Sequence, residues 1–203
     1  MCLPPLIFYH EIMNASHLIV ERCENYQKRS FRNRFNIHGS QGTYQFSIPL
    51  AKGKHNQKPI SAVQIAYDED WIRNLERLLS SSYGSAPFFE FYFNPLMSIF
   101  NRKYERLYDL NWDLLKFTLS VLSIDTDIRE SQQYLTKYDP SLRDLRGMLN
   151  PNDASSKYQF KYTQVFNNQP FVSGLTSIVD LIFCYGPESR VVLGEYMGDT
   201  PCC

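Results

Sequence analysis

The chain has 203 residues, enough to bury one core, and its 43% hydrophobic and 15% aromatic content exclude general disorder. With 21 basic and 21 acidic residues the formal charge is zero, which excludes a chain built throughout to coat a polyanion. Five cysteines without C-x-x-C spacing argue against a disulfide framework and against a zinc site, and reduced thiols suit a cytoplasmic setting. No apolar run reaches the roughly 18 to 20 residues of a membrane span, and the amino terminus does not read as a signal peptide. The final Cys202-Cys203 pair reads as a dangling tail, with a lipidated terminus as the alternative.

In chain order, Pro4-Pro5 precede Leu6, Tyr9 and Met13 at helical spacing, which predicts a short helix over 5–14. The LIV of residues 17–21 predicts a buried strand. In FRNRFNI, Phe31, Asn33, Phe35 and Ile37 share one strand face, and Arg32, Arg34 and Asn36 share the other. GSQG gives a four-residue loop at 39–42, and Tyr44, Phe46 and Ile48 resume the alternation, so 31–50 reads as a hairpin. Residues 63–67 read as another strand. Asp70 caps a helix to about 81 with Trp71, Leu75, Leu78 and Leu79 on its apolar face. The aromatic run 88–93 is expected in the core, and Pro95 in the first turn of a helix to 103. Residues 104–123 form the strongest helix, striped by Leu107, Leu110, Leu114, Phe117 and Val121. Over 125–156 the pattern fades into loops, read as a weakly structured insert in a single 1–203 domain. Residues 157–166 read as a strand or extended arm. Ser173 is placed as the cap of a last helix that stops before Gly186-Pro187.

Charge is the main functional signal. Between Glu21 and Lys58 lie eight basic residues and two acidic ones, and Lys28, Arg29, Arg32 and Arg34 fall within seven positions. Two guanidinium groups two residues apart on a strand lie about 7 Å apart, a spacing that brackets a phosphate with fork-shaped donors. Lys52, Lys54 and His55 follow in a polar loop placed to fold over the same ligand. The alternative is a solvated edge strand defended by charge. His55 and Asp180 are the candidates for acid-base work. Each has a plain structural reading as well, His55 on a surface loop and Asp180 on a solvated helix face with Ser173, Ser177 and Cys184. Asp109 and Asn111 pose the same choice inside the long helix. Cys23 and Cys184 read as inert thiols unless a base lies nearby. The histidines share no metal-ligand spacing, no P-loop, dinucleotide fingerprint or nucleophile elbow is present, and the cofactor is left open.

The segments LPPLIFY, NYQKRSFRNRF, IPLAKGKH, YGSAPFFEFY, LYDLNWDLL and FVSGLTSIVDLIFCYGPES, in that order, resemble the WbqC-like protein family across nearly the whole chain. The matching residues include Gln27, Lys28, Arg29, Ser30, Arg32, Asn33 and Arg34, then Trp71, Tyr83, Gly84, Asp180, Gly186 and Pro187. The resemblance implies a role in bacterial surface-polysaccharide biosynthesis, with sugar-modifying or aminoacyl-transferring chemistry, and carries no settled catalytic residue. Family members usually begin with a full strand before the proline pair, where only Met1-Cys2-Leu3 stand here. Many carry a histidine in the helix after the tryptophan, where this chain has Leu75 and its neighbours. A glycine-rich stretch of longer members is missing from 125–156.

The expectation is therefore a mixed α/β protein leaning to α+β, a small sheet with a β-hairpin flanked by several helices. It is expected to be cytoplasmic and transferase-like, and to bind a phosphorylated substrate through Lys28, Arg29, Arg32, Asn33, Arg34, Lys52 and Lys54. The rival expectation is a non-catalytic module whose basic strand edge meets a protein or RNA. Nucleic acid ranks third, because the basic zone is small.

Overall fold

The computed structural model describes residues 1–53, 58–137, 139, 141–151, 157–166, 169 and 171–196. The first helix, α1 (Leu6–Ile12), starts directly after Pro5 and buries Leu6, Ile7, Phe8, Tyr9 and Ile12. The amides of Leu6 and Ile7, which have no partner inside the helix, donate to the carbonyls of Thr176 and Gly174 at 2.9 and 3.1 Å. The next element, β1 (His17–Val20), pairs in parallel with β4 (Asp127–Glu130). The expected buried strand is therefore half of a small outer sheet, with Ile19 exposed, and β4 stands where only loops were expected.

The hairpin forms from β2 (Arg34–Gly39) and β3 (Gly42–Ser47). Its loop is tighter than expected. Gly39 pairs with Gly42, so only Ser40 and Gln41 turn, and Gly42 takes a positive φ of 104°. Pairing begins at Arg34, which leaves Arg32 in the preceding turn rather than on the strand. Phe35 and Ile37 are fully buried, as the alternation predicts. The opposite face is not solvated: Asn36 donates to the Leu175 carbonyl at 3.2 Å, and Ser177 N–H donates to the Asn36 carbonyl at 2.9 Å. Residues 63–67 form isolated bridges, Leu50 to Ile65 and Gln64 to Arg106, rather than a strand.

Helix α2 (Trp71–Tyr83) is capped as expected, with the Asp70 side chain accepting from Arg73 N–H. Helix α3 (Phe89–Phe100) starts within the aromatic run, so Pro95 lies inside it and not in a first turn. The backbone hydrogen bond that proline cannot donate falls on the outer side, where Phe91 is 70% exposed, against the expectation of a core segment. Helix α4 (Leu107–Val121) buries Leu107, Leu110 and Leu114 of the expected stripe, and Phe117 and Val121 are only partly covered.

Beyond these, β5 (Gln159–Lys161) pairs with β6 (Phe171–Ser173). Ser173 is thus committed to a strand, and Ser177 instead precedes α5 (Ile178–Tyr185). Gly186 ends α5 with φ of 51°, and a Cβ there would meet the Phe88 ring at 2.5 Å. A 3₁₀ turn (Gly186–Glu188) and α6 (Ser189–Gly194) follow, neither signalled by the pattern. Two apolar clusters fill the interior. One gathers the hairpin, α2, α3 and Leu107, Leu110 and Leu114, and the other gathers α1, β5 and Leu115 and Leu119. Helices α4 and α5 serve both. The architecture is mixed α/β, with a hairpin and small two-stranded sheets set among helices.

Candidate functional site

A cavity of about 600 Å³ opens beside the turn that carries Arg32. This is within the usual range for small-molecule pockets, roughly 300 to 1,000 Å³. Its walls are α1 and the chain leading from it through β1, one face of α4, and a strap formed by residues 141–147 and 149. Phe8, Ile12, Leu18, Phe31, Leu115 and Leu145 make much of the wall apolar. Trp112 adds a broad ring, stacked on Tyr108 with centroids 6.1 Å apart.

The wall also carries charged side chains, some enclosed and some, such as His17 and Arg143, well exposed. Arg32 gives a two-point fork to Glu24, Nε to Oε1 at 2.8 Å and Nη2 to Oε2 at 2.5 Å. The side chains of this pair are only 12% and 14% exposed. Such a fork fixes the plane of the guanidinium, and Nη1 takes no part in it. Glu21, also on the wall, accepts from Ser131 Oγ at 2.5 Å and from Cys23 N–H at 2.8 Å. Asn111, on α4, donates from Nδ2 to the Arg32 carbonyl at 2.8 Å. Its Oδ1 is buried and has no hydrogen-bond partner among the described residues. Tyr108 is held above its usual pKa by burial first and then by the nearby Glu130 carboxylate.

Two ion pairs tie the strap to the body. Arg143 meets Glu11 of α1 at 2.7 Å, and Arg146 meets Glu21 at 3.7 Å. Arg146 also donates to the Leu135 carbonyl at 2.7 Å. Leu145 and Leu149 pack on the cluster that contains α1.

The structure separates the expected anion clamp. Arg32 lines the cavity, but Arg34 does not, and its Nη1 donates to Gln45 on the neighbouring strand at 3.0 Å. The paired-guanidinium spacing fails because Arg32 precedes the strand and turns back to Glu24. Lys28, Arg29 and Lys52 are exposed and off the cavity wall. Asn33 is buried with both ends engaged, accepting from Tyr26 Oη at 2.8 Å and donating to the Ile48 carbonyl at 2.9 Å. It braces the hairpin entry. Lys54 and His55 lie outside the described residues.

Asp180 is not on a solvated face. It is fully buried, because α5 is covered on every side. Its carboxylate accepts from Tyr162 Oη at 2.7 Å, Tyr83 Oη at 2.9 Å and Gln164 Nε2 at 2.9 Å. Burial raises its pKa above the ordinary 3.8, and the three donors pull it part of the way back. Tyr83 also receives the His38 N–H at 3.2 Å, so the cluster joins α2, α5, the hairpin and the segment after β5. Burial and the Asp180 charge push the Cys184 thiol up, away from nucleophilic use. Cys23 directs its thiol to the Ser131 carbonyl at 3.8 Å. Asp109 is exposed.

The sequence reading missed Glu24, Trp112 and the strap as parts of a site. For Asn111 a signal existed, since it falls four residues after Leu107 and three before Leu114, on the buried stripe. For Glu24, eight residues from Arg32, and for the strap, local pattern holds none.

Among the described residues no group of three or more His, Cys, Asp or Glu is arranged to hold a metal, and no helix is long and apolar enough to cross a membrane. Fold and cavity together define a small mixed α/β protein with a strapped cleft, apolar over much of its wall, that has an enclosed Arg32–Glu24 pair on one side and charged strap residues on the other. The chain belongs to the WbqC-like protein family, which it matches over residues 1–150. That span contains Glu24, Arg32, Asn111 and the whole strap, and the segment around Asp180 lies beyond it. No curated protein and no solved structure matches the chain.

Proposed function

We propose that the protein binds a phosphorylated small molecule in this cavity and acts as a cytoplasmic, transferase-like member of bacterial surface-glycan biosynthesis. The observation that carries the binding part is Arg32: an enclosed guanidinium on the cavity wall, oriented by Glu24, with Nη1 outside the fork. An arginine held in this way meets an incoming anion without first losing much side-chain freedom. Family membership supports the glycan context. Lys28 and Arg29, exposed on the same turn, would raise the local concentration of anions. They also favour a second reading, in which this outer basic turn meets an acidic protein or RNA.

Thermal unfolding against nucleotides, nucleotide sugars, pyrophosphate and a short RNA, at two salt concentrations, tests both. A ligand at about 100 times its dissociation constant stabilises by about 2.7 kcal/mol, several degrees in Tm. The expected result is a shift with a phosphorylated small molecule that Arg32→Ala abolishes and Arg34→Ala leaves intact. Equal loss in both variants would place the anion outside the cavity. A shift with RNA alone, steeply salt-dependent, would favour the second reading.

A further inference from the structure

The hairpin leaves part of one edge unmet. Gly39 and Gly42 flank a two-residue turn, so they form a hydrogen-bonded pair, and pairs of the two kinds alternate from there. His38 and Asn36 therefore turn their main-chain groups away from β3, and Thr43, Gln45 and Ser47 turn theirs away from β2. On the β2 side these groups are covered. His38 N–H donates to Tyr83 Oη at 3.2 Å, and the Asn36 carbonyl accepts from Ser177 N–H at 2.9 Å. Beyond β3, Pro49 and Ala51, in step with Ser47, are covered as well. The Pro49 carbonyl accepts from Ala66 N–H, and Ala51 N–H donates to the Gln64 carbonyl, both at 3.0 Å. Between them the edge is open: Thr43, Gln45 and Ser47 are exposed, and their amides and carbonyls have no partner among the described residues. Folded proteins usually defend such an edge with charge, proline or a bulge. β3 has none of the three, since it is uncharged and without proline, and its register with β2 is unbroken.

We propose that β3 takes up one further strand from another protein, an extended segment antiparallel to it in which acidic and apolar residues alternate. Main-chain bonds to Thr43, Gln45 and Ser47 set its path. Charge sets its composition. Arg34 reaches across from β2 to bond Gln45 Oε1 at 3.0 Å, so its guanidinium lies over β3, and no carboxylate meets it among the described residues. A carboxylate one strand further out, about 4.8 Å from β3, comes within its range. Asp68, Glu69 and Asp70 precede Trp71, whose ring lies 6.5 Å from that of Phe46, on the opposite face of the hairpin. On that face the added strand brings its apolar side chains beside Phe46 and Tyr44, the latter 39% exposed. A second copy of β3 fits less well, because a two-fold axis would bring another Arg34 instead of a carboxylate. This surface is separate from the cavity, whose wall includes no residue of β3.

Nitrogen-15 NMR of the full chain tests it with short end-blocked peptides in which glutamate and valine alternate. The peptide is expected to move the amide signals of Thr43, Gln45 and Ser47 and to leave the indole of Trp112, on the cavity wall, in place. N-methylation at the glutamates, whose amides face β3, should abolish binding, and N-methylation at the valines, whose amides face solvent, should preserve it. The lysine–valine counterpart should bind about fivefold more weakly, and Arg34→Gln should remove most of that difference. Thr43→Pro removes an outward amide that the hairpin does not use, and should weaken the glutamate peptide about tenfold. Should that variant not fold, the N-methyl comparison stands by itself. Equal binding of the two N-methylated peptides would show attraction by charge alone and overturn the proposal. The reverse order between them would overturn the assigned face and with it the composition. Amides that stay in place with every peptide would leave the edge to water. Shifts of the same amides that grow with protein concentration, without peptide, would give the edge to a second copy. Any of these results overturns the proposal and leaves the cavity reading untouched.

Discussion

Two carboxylates, the buried Asp180 and the partly covered Glu24, show how differently one chain uses the same group. Asp180 is fully buried, and both its oxygens are engaged by Tyr83, Tyr162 and Gln164. Nothing is left over for a ligand, and the donors come from parts of the chain as far apart as α2 and the segment after β5. Glu24 is less buried, sits on a cavity wall and is bonded by Arg32. A satisfied polar cluster of this kind fixes the fold, whereas a charged pair on a cavity wall is, on the proposed reading, open to another molecule. On the proposed reading, depth of burial by itself would have chosen the wrong carboxylate.

The comparison breaks first at Asp180. Asp180→Ala removes the acceptor for three buried donors and should cost about 3 to 5 kcal/mol in chemical denaturation. Asp180→Asn should cost under about 2 kcal/mol. Its oxygen can still serve Tyr83 and Gln164, while its amide donates to the Tyr162 hydroxyl. Equal damage from the two substitutions would mean that charge, not acceptor geometry, holds the cluster.

Asp180 also sets a pH signature. Its folded pKa is raised above the ordinary 3.8, with burial as the largest cause. The folded state therefore holds the proton to higher pH than the unfolded state does. The contribution of this group to stability is full below about pH 3.8 and declines as pH rises through the folded pKa. Wild type should lose stability relative to Asp180→Asn across that window and run parallel to it above. A stability difference between the two proteins that does not change with pH would remove the raised pKa.

Arg32→Ala comes next. It strands Glu24, but the pair is partly reached by water, so the expected cost is about 1 to 3 kcal/mol, below that of Asp180→Ala. The sequence argument, which set Arg32 on a solvated strand face, expects almost no cost. Phe35→Ala, by contrast, should cost about 3 to 5 kcal/mol on either reading, since Phe35 is fully buried. Binding separates the two carboxylate regions further. Arg32→Ala should abolish the anion-dependent shift, and Asp180→Asn should keep it.

What the sequence made legible was local. The α2 cap at Asp70, the hairpin alternation at Phe35 and Ile37, and the buried Leu107, Leu110 and Leu114 all follow from neighbours within a turn or a strand pair. The misses are long-range. Asn36 looked solvated because nothing near it in sequence reveals that Leu175 and Ser177 dock on its face. Asp180 looked solvated because a helical wheel cannot see that α5 is enclosed on all sides. Arg32 was assigned to the right region and to the wrong geometry, since a turn, not a strand, presents it to Glu24. The cavity itself needed the strap, which reaches α1 from more than a hundred residues away through Arg143 and Glu11.

That strap gives the smallest expected effect and the one most specific to a binding site. The Arg143 side chain is 69% exposed, so its ion pair with Glu11 is worth at most about 1 kcal/mol, and Arg143→Ala should barely move the denaturation midpoint. The same pair nevertheless spans the cavity wall from the strap to α1. Removing it should let the strap part from α1 more often, raising both the association and the dissociation rate of a bound small molecule while leaving its affinity nearly unchanged. In wild type, salt should mimic the substitution, because a pair this exposed is screened over a Debye length of about 8 Å at physiological ionic strength. In Arg143→Ala that salt response should shrink. Stopped-flow binding at low and high salt measures it directly. Rates that respond to salt identically in both proteins would show that the strap does not gate the cavity, and would move the entrance to another part of its wall.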